Sequence, residues 1–222
     1  MNITLITSII NISNKPLSYT TCRSVYTKSE RFDQTKYTIE TIKKYIPDNK
    51  IYLVECSDLT DDERKYFVEN TDIFFNIYDL NNTETTKKIT DSASKSLCEG
   101  TMTILALQKL FNNNIPFKNL FKVSGRYYLN EKFNYDLWNN ENIIVKPVGI
   151  ENYPWTHTTI YKLPYDCAKK WLNFLLESLV QFNNVGYEQI FSIFLEKHEH
   201  VPIHIIVGIC GNVSGNGIYF SG

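Results

Sequence analysis

The chain has 222 residues, 43% of them apolar, and a formal net charge of −1. That length predicts one domain, spanning 1–222, with enough apolar material for a large core. The near-zero charge argues against a nucleic-acid partner bound by phosphate neutralisation, and against attachment to an anionic membrane by charge alone.

The opening segment, "MNITLITSIINI", has no basic n-region and no small-residue cleavage site, so no signal peptide is expected. No apolar run approaches the roughly 20 residues of a membrane helix, so no transmembrane segment is expected. Five cysteines, at 22, 56, 98, 167 and 210, are odd in number and widely spaced. They fit free thiols in a reducing cytosol better than a disulfide or zinc framework, and a cytoplasmic location follows as the expectation.

The near-continuous apolar run 3–12 predicts a strand buried on both faces. Residues 14–29 are polar and predict a long loop. Phe32, Ile39, Ile42 and Ile46 form a helical stripe that ends at Pro47. A second strand is expected over 50–56. A helix follows, with Thr60 as its N-cap and acidic residues in its first turn. A third strand is expected over 72–79, an exposed loop over 79–88, a long helix from 92 to about 112, and a fourth strand over 119–123. Alternating strands and helices imply parallel pairing and an α/β sandwich. The last third is richer in β-structure, with strands expected over 142–149, 157–164, 203–211 and 216–220, and helices over 166–182 and 187–197.

Ligands of such sheets bind beyond the carboxyl ends of the strands. Three clusters fall there. The first, "CRSVYTKSERFDQT", carries Arg23, Ser24, Arg31 and Gln34. Arg31 and Gln34 are three apart at a helix start, where the dipole favours an anion. The second, "SASKSLCEGT", carries Lys95, Ser96 and Glu99, followed by Gly100. A mid-helix glycine costs about 1 kcal/mol against alanine, which close approach of a ligand or backbone would explain. The third is "KVSGRYY": Lys122, Ser124, Gly125 and Arg126. Lysine is abundant here, but there are four arginines: Arg23, Arg31, Arg64 and Arg126. A bidentate clamp on phosphate needs the guanidinium fork, so each retained arginine marks a place to look for an anion.

The order R-S-x-Y-x-x-x-E-R-x-x-Q-T, K-S-x-x-E and K-x-S-G-R-Y resembles small GT-A-type glycosyltransferases of bacterial polysaccharide clusters and large DNA viruses. The likeness runs from Ile3 to about Gly217. It implies a GT-A-like three-layer sandwich with a mixed, mainly parallel central sheet and a more β-rich C-terminal half. Residues 1–126 would form the nucleotide-binding half and 127–222 the acceptor half. It further implies transfer of a sugar from a nucleotide-sugar donor to a glycan or other hydroxyl acceptor, in the cytoplasm, or in the host cytoplasm for a viral member. Arg23, Ser24, Arg31 and Gln34 would face the nucleotide. Lys95, Ser96 and Glu99 would approach nucleotide or sugar. Ser124-Gly125-Arg126 would stand where many GT-A enzymes carry a metal-binding Asp-x-Asp, with Arg126, aided by Lys122 or Arg23, supplying positive charge instead. A divalent metal (Mg²⁺ or Mn²⁺) stays open, with Asp58, Asp61, Asp62 and Asp79 near other strand ends.

Two bases compete for the acceptor proton: Glu188, at a helix start, and His157, flanked by Tyr153 and Trp155, whose rings suit a sugar face. His198 and His200, beside Glu196 and Glu199, read as a polar helix end, and His204 as structural within a strand. A nucleotidyltransferase making the sugar nucleotide is the enzymatic alternative. The absence of glycine before Gly100 counts against it. A catalytically degenerate glycan- or partner-binding protein is the non-enzymatic one. Sequence leaves the oligomeric state open.

Overall fold

The structure, a computed structural model, describes residues 1–147, 156–205 and 207–222. Its frame is a seven-stranded sheet in the order β3-β2-β1-β4-β7-β6-β8. Strands β1 (Asn2–Ser8), β2 (Asn49–Glu55), β3 (Ile73–Asn76) and β4 (Asn119–Ser124) run parallel. β7 (Thr156–Pro164) joins β4 antiparallel, β6 (Ile143–Pro147) joins β7 antiparallel, and β8 (His200–Pro202) returns parallel to β6. The sheet is therefore mixed and mainly parallel, with strands drawn from both sides of residue 126. A second, three-stranded sheet follows the order β10-β9-β5, built from β5 (Tyr127–Leu129), β9 (Ile209–Asn212) and β10 (Tyr219–Ser221).

Helices cover both faces of the large sheet. On one face, α1 (Lys28–Tyr45) and α2 (Asp61–Asn70) pack Ile39, Ile42, Ile46 and Phe67 against Ile6, Leu53 and Phe121. On the other, α4 (Lys95–Asn112), α5 (Tyr165–Glu177) and α6 (Tyr187–Leu195) pack Leu107, Leu110, Trp171 and Phe191 against Ile3, Leu5 and Tyr161. The alternation of Leu5 and Ile6 between the two cores is the period-2 signature of a strand buried on both faces.

Local sequence sets the helix starts. Thr27 and Thr60 each cap a helix and close a capping box with Glu30 and Glu63. Ser94 caps α4 by accepting from the Leu97 amide.

Several expectations change. The first strand ends at Ser8, not at residue 12, because the next amides turn to side chains. Ile10 N donates to the Glu55 carboxylate and Asn11 N to Ser57 Oγ. The loop expected over 79–88 contains a helix, α3 (Thr83–Thr90), capped by Asn82 and anchored by buried Ile89. The strand expected over 203–211 is confined to β9, and His204 lies exposed outside it. β5 and β8, three residues each, were not expected. Among the described residues no helix is long and apolar enough to cross a membrane.

Candidate functional site

The carboxyl ends of β1 and β4 lie side by side, paired in register from Asn2–Asn119 to Thr7–Ser124. Beyond them, β1 gives way to the loop that leads into α1, and β4 to the Gly125–Arg126 turn. Gly125 does not use a left-handed backbone here. It serves close approach: a Cβ would lie 3.0 Å from Ser8 Cβ and 3.2 Å from Thr7 O. Its amide donates to Thr7 O at 2.9 Å, and its carbonyl accepts from Thr35 Oγ1 at 3.0 Å. The turn is thereby clamped between β1 and α1, which fixes where Arg126 emerges.

A cavity opens at this point, lined in part by Thr7, Ser8, Arg23, Arg31, Lys95, Glu99, Ser124, Arg126 and Ser214. All three sequence clusters meet in it. Arg31 sits one turn into α1 and is only 4% exposed. Its Nε donates to Ile9 O at 2.7 Å, and its Nη1 to Ser24 Oγ at 3.3 Å and Ser214 Oγ at 3.2 Å. These acceptors are neutral, and Arg31 forms no ion pair among the described residues, although the buried Glu55 carboxylate favours its charged form. Burial, reinforced by the Arg126 charge, pulls its pKa down to about 9. Lys95, the first residue of α4, is lowered to about 8 by burial and then by Arg126. Arg126 Nε is buried with no hydrogen-bond partner. Arg23 is held to Lys15 O at 3.0 Å and to Ser92 O, tying the β1–α1 loop to the segment before α4.

A second compartment adjoins the first through Lys95 and Glu99, which line both. Tyr19, Ser96, Tyr187 and Glu188 also line it. The two compartments measure about 80 and 370 Å³. Pockets for drug-sized ligands run from roughly 300 Å³ upward, so the second compartment reaches that range and the first does not. Glu188 accepts from Thr158 Oγ1 at 3.2 Å. Burial and then the Glu99 charge raise its pKa. Ser96 Oγ accepts from the Tyr187 amide at 2.9 Å, pinning the start of α6 to α4.

Other sequence candidates are placed differently. Lys122 is fully buried, and its ammonium pairs with Glu99, donates to Ser124 Oγ at 2.9 Å and to Thr158 O at 3.3 Å. Its charge is spent inside the protein, and it replaces Lys95 as the partner of Glu99. Gln34 lines a separate groove with Tyr37 and Tyr128, which Arg126 also borders. Ser24 contributes through Arg31. The His157 ring packs against Phe220, tilted, with centroids 5.1 Å apart, and is not among the residues named for either compartment. Burial and Lys146 lower its pKa. Its aromatic neighbours Tyr153 and Trp155 lie outside the described residues. Mid-helix Gly100 is explained by a side chain rather than a ligand: a Cβ there would stand 2.6 Å from the Phe182 ring. Sequence reasoning passed over Tyr19, Thr158 and Ser214. An exposed tyrosine in a polar loop was the one legible signal among them.

At the Ser124-Gly125-Arg126 turn the donors do not suit a divalent cation. Mg²⁺ and Mn²⁺ favour carboxylate oxygens, and Ser124-Gly125-Arg126 offers none. Among the described residues no three His, Cys, Asp or Glu side chains converge. Asp79 is bound by Arg64 at 2.6 and 2.7 Å.

No protein-family model and no curated protein sequence matches the chain. Solved structures do resemble it. The glycosyltransferase GlyE of Streptococcus pneumoniae TIGR4 aligns at a TM-score of 0.52 and 10% identity, over 90% of this chain and 44% of GlyE. This chain therefore spans less than half of that protein. The CTP:phosphocholine cytidylyltransferase LicC of S. pneumoniae aligns at 0.54 and 10% identity, over 95% of this chain and 92% of LicC. The nucleoside-diphosphate-sugar pyrophosphorylase of Vibrio cholerae RC9 aligns at 0.52 and 8% identity, over 93% and 94%. At such identities the likeness is one of fold: this chain has the GT-A-like, mixed α/β fold of nucleotide-sugar transferases.

Proposed function

We propose that the protein is a glycosyltransferase that moves a sugar from a nucleotide-sugar donor to a hydroxyl acceptor. One observation carries the reading: a cavity at the carboxyl edge of β1 and β4 gathers Arg31, Lys95 and Arg126, and among the described residues none of the three forms an ion pair. Arginine placed as a fork, unpaired and desolvated, is suited to phosphate oxygens. Beside it lies a roomier compartment with a half-buried carboxylate, Glu188.

In this reading the donor phosphates occupy the cationic cavity and the acceptor enters beside Glu188. The acceptor oxygen forms a bond to the anomeric carbon while the bond from that carbon to the phosphate oxygen breaks. The electron pair departs on the phosphate, and the acceptor proton passes to Glu188. Glu188 Oε1 is oriented by Thr158, and its raised pKa makes it a stronger base than an exposed glutamate once ionised.

The nucleotidyltransferase reading has an observation in its favour, since LicC and the Vibrio pyrophosphorylase align along nearly their whole length. One experiment separates the two. Purified protein is incubated with a panel of UDP-, GDP-, dTDP- and CMP-sugars, and separately with nucleoside triphosphates and sugar phosphates. Release of nucleotide from a sugar donor, abolished by Arg126→Ala in a protein with unchanged circular dichroism, is the expected result. Pyrophosphate release from a triphosphate would establish the nucleotidyltransferase instead. An Arg126→Ala variant that still transfers sugar would overturn the role given to that residue.

A further inference from the structure

A cavity lined by four cations, Arg23, Arg31, Lys95 and Arg126, none of which forms an ion pair among the described residues, is expensive unless something anionic completes it. Charges taken out of water cost several kcal/mol each when unpaired. Here burial first, and then the Arg126 charge, lowers the proton affinity of both Arg31 and Lys95. Three carboxylates relieve it only in part: Glu55 favours charged Arg31, and Glu99 and Glu188 favour charged Lys95. Glu99 is engaged by Lys122, and Glu188 accepts from Thr158. Arg126 Nε is a buried donor left without a hydrogen-bond partner. A metal ion would add positive charge to this cluster, and the one carboxylate among the residues named for the cavity, Glu99, is already paired with Lys122.

We propose that Arg31, Lys95 and Arg126 grip the diphosphate of the donor directly, replacing the divalent cation that an Asp-x-Asp site would hold. The inference rests on the donor-binding reading above and specifies how the leaving group is stabilised. A diphosphate carries a charge on each phosphate and can face several cations at once, whereas a single phosphate leaves more of the cluster uncompensated. Arg31 supplies the fixed element, since its Nε and Nη1 are already held by Ile9, Ser24 and Ser214. Lys95 and Arg126 supply the charges free to close on the ligand. As the bond to the sugar breaks, the charge gathering on the departing oxygen is met by donors already in place.

The sign of the magnesium effect tests this. Inorganic pyrophosphate serves as the probe, titrated by calorimetry and by thermal shift, first in EDTA and then with excess Mg²⁺. The expected result is binding in EDTA that weakens when Mg²⁺ is added, because the metal complex carries less charge. Orthophosphate should bind at least about tenfold more weakly, and Arg126→Met and Lys95→Met should each lose about tenfold in pyrophosphate affinity, as removal of a charge-assisted bond implies. Among the described residues both side chains lack ion pairs, so these variants are expected to fold. Binding that requires Mg²⁺, orthophosphate binding as tight as pyrophosphate, or unchanged affinity in both variants would overturn the clamp. The transfer assay keeps the two readings apart. Turnover of a nucleotide sugar only with Mn²⁺ present would refute the clamp and leave the transferase standing. Pyrophosphate binding in EDTA with no turnover of any donor would do the reverse.

Discussion

At the scale of single residues, the site is governed by where charges are left unpaired. Lys95 has its pKa lowered to about 8 by burial and by Arg126. An anion beside it favours the protonated amine and raises that value. Ligand binding above about pH 8 must therefore draw a proton onto Lys95, and pyrophosphate affinity should fall as pH rises through that value. Lys95→Arg, which stays charged, should flatten the profile. Calorimetry across this range, in buffers of different ionisation enthalpy, measures both the affinity and the proton uptake. A flat wild-type profile would show that Lys95 does not meet the anion. Glu188 obeys the opposite logic. Burial and Glu99 raise its pKa, and a base works only when ionised, so kcat should rise with pH through a value above the ordinary carboxylate range. Glu188→Gln should lower kcat by about 10²–10⁴ and leave the donor KM nearly unchanged. The scarcity of arginine in a lysine-rich chain made Arg31 and Arg126 visible in the sequence. The Lys122–Glu99 pair was not visible, because it joins positions 23 apart in the chain across a strand and a helix.

At the scale of elements, α4 shows where propensity misleads. Alanine is better than glycine in a helix by about 1 kcal/mol, so sequence alone recommends Gly100→Ala. The structure forbids it, since the new Cβ would meet the Phe182 ring at 2.6–3.0 Å. Overpacking of this kind costs typically 1–3 kcal/mol. Gly100→Ala should therefore be neutral to destabilising by about 2 kcal/mol in urea unfolding. It should also disturb the second compartment, which Phe182 helps to line. A variant more stable than wild type would mean that the ring does not sit against the helix. The strongly patterned elements were legible, among them β2, α1 and the Thr60-capped α2. The misread ones share a cause. α3 is short and polar, with Ile89 as its sole buried residue. β5 and β8 hold three residues each, too few to display a period, and exist because distant strands offer them hydrogen bonds. Gly211, packed 2.5 Å (from a virtual Cβ) against Arg126 O, is part of that docking of β9 on β5.

At the scale of the whole molecule, the cavity is closed by a residue no local pattern marks. Ser214 follows β9 and is 3% exposed. Its hydroxyl accepts from Arg31 Nη1 at 3.2 Å and donates to Arg23 O at 3.2 Å, while its carbonyl accepts from Val25 N at 2.9 Å. One side chain thus joins the end of the chain to the loop after β1 and to the buried arginine, across 183 positions of sequence. Ser214→Ala keeps the backbone contact but leaves a buried guanidinium donor without its acceptor. A lost bond to a charged group costs about 1.5–3 kcal/mol. The variant should be destabilised by about that amount in urea unfolding. It should also bind pyrophosphate more weakly, because Arg31 loses one of the three contacts that hold it in place. Ser24→Ala, which removes the other hydroxyl on the same Nη1, should behave alike but act more mildly, since Ser24 lies in a more exposed loop. If Ser214→Ala lowered stability and left pyrophosphate affinity untouched, the C-terminal strands would brace the fold without shaping the anion site. If both fall together, the small sheet is part of the machinery that holds Arg31 to its task.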